Sequence, residues 1–183
     1  MRNILNLLIW CVLACCVEAQ ELKLMNPEFR EKDGKIMSWH SFNGNPVSVP
    51  YPEKAGYCAV KLESRTVANW FGVEQVLPVS RLPQLAPGQK LRFTLEYCQK
   101  NVKVLDGGLI TFAFFSKTGQ QLAYVDGKKN PGTFDWTEIS VSGDFKTIPA
   151  DAVSFGVRLY LGKTSGAVYF AEPRLFVDVV DGQ

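Results

Sequence analysis

The sequence predicts an all-β fold, a two-sheet antiparallel β-sandwich of the jelly-roll type. Apolar and polar residues alternate over short segments, and Gly, Pro, Asn and Asp turns separate these segments at regular intervals. No window of about 12 residues after residue 19 shows a helical period. About ten strands in roughly 160 residues are typical of one sandwich domain, predicted here over residues 20–183.

Each strand is predicted from its alternation and from the turn that ends it. The first two are separated by Lys32-Asp33-Gly34, the second ends at Asn43-Gly44-Asn45-Pro46, and Pro87-Gly88 precedes the fifth. The ten predicted strands cover residues 22–29, 36–42, 57–62, 67–79, 91–97, 109–115, 121–125, 136–141, 153–161 and 167–177.

The alternation also separates residues that face the core from residues that face outward. The core phase of the third, fourth, fifth and ninth strands consists of Cys58, Val60 and Leu62; Phe71, Val73, Leu77 and Val79; Leu91, Phe93, Leu95 and Tyr97; and Val153, Phe155, Val157, Leu159 and Leu161. The outward phase includes Trp70, Gly72 and Glu74 on the fourth strand and Arg158 and Tyr160 on the ninth.

Composition and charge exclude several classes of function. The 183 residues are 46% hydrophobic and 21% charged, as in an ordinary globular domain, and 20 basic against 18 acidic residues leave a net charge of +2. Nucleic acid is not expected as a partner, because phosphate binding needs a concentrated cationic face. The single histidine, His40, rules out histidine-rich metal sites and is predicted to be a solvent-facing strand residue.

Residues 1–19 resemble a secretory signal peptide rather than part of the fold. A basic start at Arg2 is followed by an apolar stretch too short for a membrane-spanning helix, and Val17 and Ala19 supply small residues before a cleavage after Ala19. A second route stays open, since Val12-Leu13-Ala14-Cys15 resembles a lipobox whose processing would leave a lipidated Cys15 at the start of the chain. The protein is therefore expected to be secreted or held in the cell envelope, in the periplasm or on the outer surface if lipidated.

Two of the five cysteines, Cys58 and Cys98, lie beyond residue 19. An exported protein can keep a disulfide, but the strand phases place Cys58 with the core and Cys98 on the opposite face. Two separate thiols are therefore expected, and a disulfide between them remains the alternative.

A series of landmarks along residues 24 to about 178 resembles a known family. They are, in order, Asn26-Pro27-Glu28-Phe29 followed by Trp39; Gly56 to Leu62; Trp70 to Gln75; Pro87 to Phe93; Asp135 to Glu138; Ile148 to Ala150; and Gly166 to Phe170. This series resembles the jelly-roll carbohydrate-binding domains, of the galactose-binding-like fold, that are appended to bacterial cellulases and xylanases. The resemblance implies a bacterial source, polysaccharide binding without catalysis, and core-filling roles for Trp39 and Trp136.

The sequence departs from that family at its structural calcium site. Arg30 and Ala171 stand where the family has acidic ligands, and calcium prefers several oxygen ligands. We therefore expect no metal or cofactor, and the hypothesis is that Arg30 pairs with Glu172 in place of the ion. The alternative is that both are independent surface charges.

The jelly-roll topology implied by the resemblance turns the strand phases into a candidate ligand face. Predicted strands four, six, seven and nine would form one sheet, similar to the concave sheet on which the family binds glycans, and strands three, five, eight and ten the other. The residues predicted to bind ligand on the outer side of the first sheet are Trp70, Glu74, Phe115, Arg158 and Tyr160. Aromatic planes pack against the C–H face of a sugar ring, and charged or amide groups bind its hydroxyls.

Catalysis is not predicted. Glycosidases use two carboxylates about 5 to 9.5 Å apart, but Glu74 and Glu96 belong to different predicted sheets and both face outward. No zinc signature, phosphate-binding glycine loop or nucleophile elbow is present in the sequence. The expected function is non-catalytic binding of a polysaccharide or oligosaccharide, with a separate glycoside hydrolase as a further partner and contact with a membrane only through a lipid anchor. The alternative is a structural or adhesive envelope domain that contacts other proteins and has no sugar site.

Overall fold

The computed structural model describes residues 19–66 and 70–182, and most of these residues lie in β-strands. The leader predicted over residues 1–19 lies outside it, apart from residue 19. One 3-10 turn, Val79–Arg81, is the only helical element within the described ranges, and no helix there is long and apolar enough to cross a membrane. The strands are β1 Gln20–Leu22, β2 Glu31–Lys32, β3 Lys35–Ile36, β4 His40–Phe42, β5 Val47–Pro50, β6 Cys58–Ser64, β7 Phe71–Pro78, β8 Gln89–Ser116, β9 Gln121–Asp126, β10 Asn130–Phe145, β11 Ala152–Leu161 and β12 Gly166–Asp181.

Two layers of antiparallel strands form the domain, and β8 belongs to both. The C-terminal half of β8 pairs with β9 and β11, and β7 and β4 follow beyond β11; we call this layer sheet I. The N-terminal half pairs with β10 and β12, and β6 and β5 follow beyond β12; we call this layer sheet II. Strand β1 pairs with β12. The predicted all-β sandwich and its division of strands between two sheets are confirmed.

The fifth and sixth predicted strands are in fact the two halves of the 28-residue β8. The chain turns from one layer to the other between Val102, which still pairs with β12, and Gly108, which already pairs with β11. Lys103 and Gly107 have φ values of 54° and 92° there, so the strand bends without leaving the hydrogen-bonded ladder.

The core lies between the layers and follows the predicted phases of the third, fourth, fifth and ninth strands with one exception. Val153 is 50% exposed. The pairing of β11 with β8 shifts register between Ala152 and Ser154, so the alternation predicted for Val153 is broken where the strand begins. At the centre Phe93 packs against Phe112, Phe114 and other rings of the opposite layer.

The N-terminal segment contains less strand than predicted. Asn26 and Phe29 have φ values of 49° and 50°, which interrupt an extended strand over residues 22–29. The predicted strand 36–42 is likewise divided between β3 and β4 at Ser38, whose φ is 63°. The buried amide of Gln75 fixes this segment: it accepts from Met25 N and donates to the Met25 and Ser38 carbonyls at 2.7 to 3.2 Å.

Two expectations about single side chains are confirmed and one is wrong. Trp39 is buried in the core, and its indole N–H donates to the Asn26 carbonyl. Cys58 packs against the core and Cys98 against a small cluster on the outer side of sheet II, so the two thiols are separate. Trp136 does not pack in the core between the two sheets. It lies half-buried with Cys98 on that outer side, because its packing partner Tyr51 comes from the loop that covers sheet II there.

The hypothesised Arg30–Glu172 ion pair is also wrong. Glu172 pairs with Lys54 instead, and Arg30 is exposed, with its backbone N–H and carbonyl bound by the Asn26 side chain. Lys54 reaches Glu172 because the β5–β6 loop lies beside the irregular stretch of β12 that carries Glu172. Among the residues that the structure describes, no cluster of three or more His, Cys, Asp or Glu side chains is arranged to hold a metal ion.

Candidate ligand-binding face on sheet I

All five residues predicted to bind ligand lie on the outer side of sheet I. Trp70 immediately precedes β7, and Glu74 on β7 is directly opposite Arg158 on β11. Tyr160 and Phe115 share the outward phase with them. Side chains of directly opposed residues project to the same side of a sheet, so the backbone register alone brings this set together.

Three rings form the aromatic part of this face. The ring of Tyr160 stands edge-on to Trp70, with centroids 5.3 Å apart and planes at 73°, and edge-on to Phe42 at 6.1 Å and 72°. Tyr160 is opposite Gly72, where an added Cβ would lie 2.5 Å from the Tyr160 Cβ. Glycine at position 72 therefore provides the space that Tyr160 occupies between Trp70 and Phe42. All three rings are half-buried.

Arg158 is held rigidly at the centre of the face. Its Nε donates to Glu74 Oε2 at 2.7 Å, and its Nη1 donates to Gln121 Oε1 at 2.6 Å. The guanidinium carbon lies 4.9 Å from the centroid of Phe115, within the range of a cation–π contact. Arg158 and Glu74 keep 25% and 16% of their side-chain surface exposed, so the ion pair is partly shielded from solvent.

Phe115 lies on the predicted face, but its ring is not available to a ligand. It is only 6% exposed, because Arg158 lies above it and its edge fills the space beside Gly156. The phase of Phe115 was predicted correctly, whereas the prediction of an accessible ring was wrong. Its role is to support the Arg158 guanidinium.

A second polar group adjoins the rings, and the sequence prediction missed most of it. The Thr111 hydroxyl donates to Asp126 Oδ1 at 2.5 Å and lies 2.6 Å from the Tyr160 hydroxyl. Burial, as the main cause, raises the pKa of Tyr160, so its hydroxyl stays protonated as a donor near neutral pH. Val125 points inward on β9, and the same alternation could have placed Asp126 on this face. The alternation could not have placed Phe42 on this face, because the sequence did not assign its strand to either sheet.

Lys129 and Asp106 border the face beside Trp70. The Lys129 ammonium lies 5.8 Å from the Trp70 ring centroid and 2.7 Å from Asp106 Oδ2. His40 is exposed and opposite Glu74, as expected of a solvent-facing strand histidine. Glu96 lies on sheet II and pairs with Arg174, so Glu74 and Glu96 belong to different sheets, as predicted. The face thus combines aromatic edges with fixed hydrogen-bonding groups.

Comparison with solved structures shows the fold. A cyclase from Fischerella sp. TAU is similar over 90% of this chain and 99% of its own, with a TM-score of 0.62 and 15% identity. The CBM22-1 xylan-binding domain from Paenibacillus barcinonensis Xyn10C is similar over 82% of this chain and 91% of its own, with a TM-score of 0.52 and 13% identity. Arabinose-bound MgGH51 α-L-arabinofuranosidase is similar over 86% of this chain and 26% of its own, with a TM-score of 0.58 and 16% identity.

No protein-family model matches the sequence, and no curated protein matches it. At these identities the structural similarity establishes a jelly-roll fold of the kind found in carbohydrate-binding domains. The same fold occurs in binding modules and in enzymes, so the side chains of the face, and not the fold, determine the function.

Proposed function

We propose that this chain is an exported, non-catalytic carbohydrate-binding module that holds a polysaccharide on the outer face of sheet I. In this proposal residues 1–19 direct export, and the ligand is met outside the cytoplasm or in the envelope, where a separate glycoside hydrolase can act on the same polysaccharide. No metal takes part in binding.

The observation that carries the proposal is the juxtaposition of half-buried rings and fixed polar groups on one face. Trp70 and Tyr160 offer apolar edges to the C–H groups of a sugar ring. Next to them, Asp126 can accept from sugar hydroxyls, and the Tyr160 hydroxyl is part of the same hydrogen-bonded group. These groups are already held by neighbouring side chains, which lowers the entropic cost of binding.

The ion pair between Glu74 and Arg158 favours a binding role over catalysis. Glu74, the carboxylate nearest the centre of the face, is bound to Arg158 at 2.7 Å and opposes a guanidinium that Gln121 and Phe115 also fix. A general acid or base must exchange a proton with the substrate, and a carboxylate held in such an ion pair is poorly suited to that role. The same pair is well suited to keeping the face rigid.

The proposal is tested by affinity electrophoresis of residues 20–183 in gels containing xylan, β-glucan, mannan or alginate, with Trp70→Ala beside the native protein. We expect retardation by at least one polysaccharide and, in Trp70→Ala, an affinity of the sheet I site at least about tenfold lower, because burying an aromatic side chain contributes about 1.5–3 kcal/mol. Treatment with EDTA should leave the retardation unchanged.

Phe176→Ala is the matched control, since it also removes a half-buried ring from an outer strand surface, but on sheet II. It should be retarded like the native protein. Unchanged migration of the native protein in all four gels, or equal retardation of Trp70→Ala and the native protein, would contradict the proposal. Equal melting temperatures would show that Trp70→Ala is folded.

A further inference from the structure

The outer side of sheet II carries a second group of aromatic side chains. Trp136 on β10 stands edge-on to Tyr51, with centroids 4.7 Å apart, and edge-on to Tyr169, at 6.1 Å. Trp136 and Tyr169 are half-buried, whereas Tyr51 is buried beneath them. The angle between the planes of Trp136 and Tyr169, 72°, is close to the 73° between Trp70 and Tyr160 on sheet I, although the centroids are 6.1 Å apart rather than 5.3 Å.

A cavity of about 620 Å³ opens next to this aromatic group. Cys98 belongs to both, since it packs with Trp136 and Tyr51 and also lines the cavity. The walls come from three adjacent strands and from the β5–β6 loop, and they include Glu96, Glu138, Ser140, Glu172, Arg174 and Lys54.

The cavity exists because β12 is irregular where it passes β8. The pairing of the two strands shifts register between Ala171 and Arg174, and Glu172 between them has a φ of 50°. A bulge of this kind re-aims side chains and widens the local surface. Glu172 is thereby turned toward Lys54, and the outer surface of β8 is left open between β10 and β12.

Both hydrogen-bond donors and hydrogen-bond acceptors line the cavity. Lys54 and Glu172 form one ion pair, and Arg174 lies 3.6 Å from Glu96 and 3.6 Å from Glu21. Glu138 lies within 4 Å of no basic side chain in the described ranges, so its carboxylate is free to accept hydrogen bonds. It is two residues after Trp136 on the same strand and therefore faces the same side.

We propose that this surface of sheet II is a second carbohydrate-binding site, in which a neutral sugar unit packs against Trp136 and Tyr169 and places its hydroxyls in the cavity beside Glu138. This inference rests on the proposed function of the domain as a carbohydrate-binding module. Three carboxylates against two cations in the cavity wall disfavour an anionic sugar. Two sites on opposite sheets make the domain bivalent, so that one molecule can hold two polysaccharide chains.

Isothermal titration calorimetry with xylohexaose, cellohexaose and mannohexaose tests the proposal. With a hexasaccharide that binds, we expect two molecules per native domain and one per domain for both Trp70→Ala and Trp136→Ala. The double variant should bind none. The two tryptophan variants are matched controls for each other, because each removes the same residue type from a different sheet.

Glu138→Gln provides a test that does not disturb packing, since Glu138 is exposed. Combined with Trp70→Ala, it should lower the affinity of the remaining site at least tenfold. The melting temperature should stay that of Trp70→Ala. A stoichiometry of one in the native protein that Trp70→Ala abolishes and Trp136→Ala and Glu138→Gln do not affect would overturn the second site while leaving the proposed function intact. No binding of any of the three hexasaccharides would overturn both.

Discussion

Gly72→Ala tests the claim that a missing side chain shapes the aromatic part of sheet I. A Cβ at position 72 would lie 2.1 Å from the Leu159 carbonyl oxygen and 2.5 Å from the Tyr160 Cβ, and the first of these is backbone that cannot rotate away. Strands β7 and β11 would have to separate locally by about 1 Å to restore a van der Waals contact of about 3.4 Å. Overpacking of this kind costs about 1–3 kcal/mol, and we expect the upper end here.

Gly156→Ala is the matched comparison on the same face. Its Cβ would lie 3.1 Å from both the Gln75 carbonyl oxygen and the Phe115 ring, so a movement of a few tenths of an ångström suffices. The reduced entropy of the unfolded chain offsets part of that strain, and the net loss should stay below about 1 kcal/mol. Urea denaturation of both variants measures the difference, expected to be about 2 kcal/mol. Equal stability of the two variants would refute the reasoning.

Three further predictions concern stability. Gln75→Leu should lower the free energy of unfolding by about 2–3 kcal/mol in urea, because the Met25 N–H and C=O lose their partner; an unchanged midpoint would contradict this. Asn101→Leu should cost a similar amount, since Asn101 is fully buried in a hydrogen-bonded side-chain network, and wild-type stability would argue against that network. The hydrogen bond from Arg92 lowers the pKa of Asp144, so this pair stabilises the fold above about pH 4 and the effect is lost as the pH falls through the lowered pKa. Asp144→Asn should therefore lose at most about 1 kcal/mol at pH 7 and differ less from wild type at pH 3; a difference that grows on acidification would exclude this account.

The sequence was sufficient to predict which side of most strands faces outward, because strand alternation is a local property, whereas the division of the strands between two sheets came from the jelly-roll topology that the resemblance implies. Side chains two residues apart share a face, so once the apolar residues identify the inward face of a strand, the remaining residues are known to face outward. The placement of Trp70 and Glu74 on the same outer surface as Arg158 follows from this alone once the strands are assigned to sheet I. Register then decides which residues touch, and Glu74 meets Arg158 because the two are directly opposed.

Burial was harder to predict, because it depends on segments far away in the sequence. Phe115 has the outward phase and is nevertheless covered by a guanidinium from another strand. Trp136 resembles a core residue in its motif, yet its partner Tyr51 belongs to the loop on the outer side of sheet II. Ser38 interrupts a predicted strand through a positive φ, which an apolar–polar pattern does not encode.

The polar row across sheet I bears on which glycan fits. Register aligns His40, Glu74, Arg158, Thr111 and Asp126 on five adjacent strands. The guanidinium of Arg158 is already bound on two sides, and the two carboxylates of the row lie to either side of it. An anionic sugar approaching this row would therefore meet a neutralised cation and an exposed Asp126, and would gain little from Arg158 while being repelled by the carboxylate. A neutral sugar has no charge to be repelled and can donate its hydroxyls to Asp126, so under the proposed function the row would favour a neutral polysaccharide over a uronate.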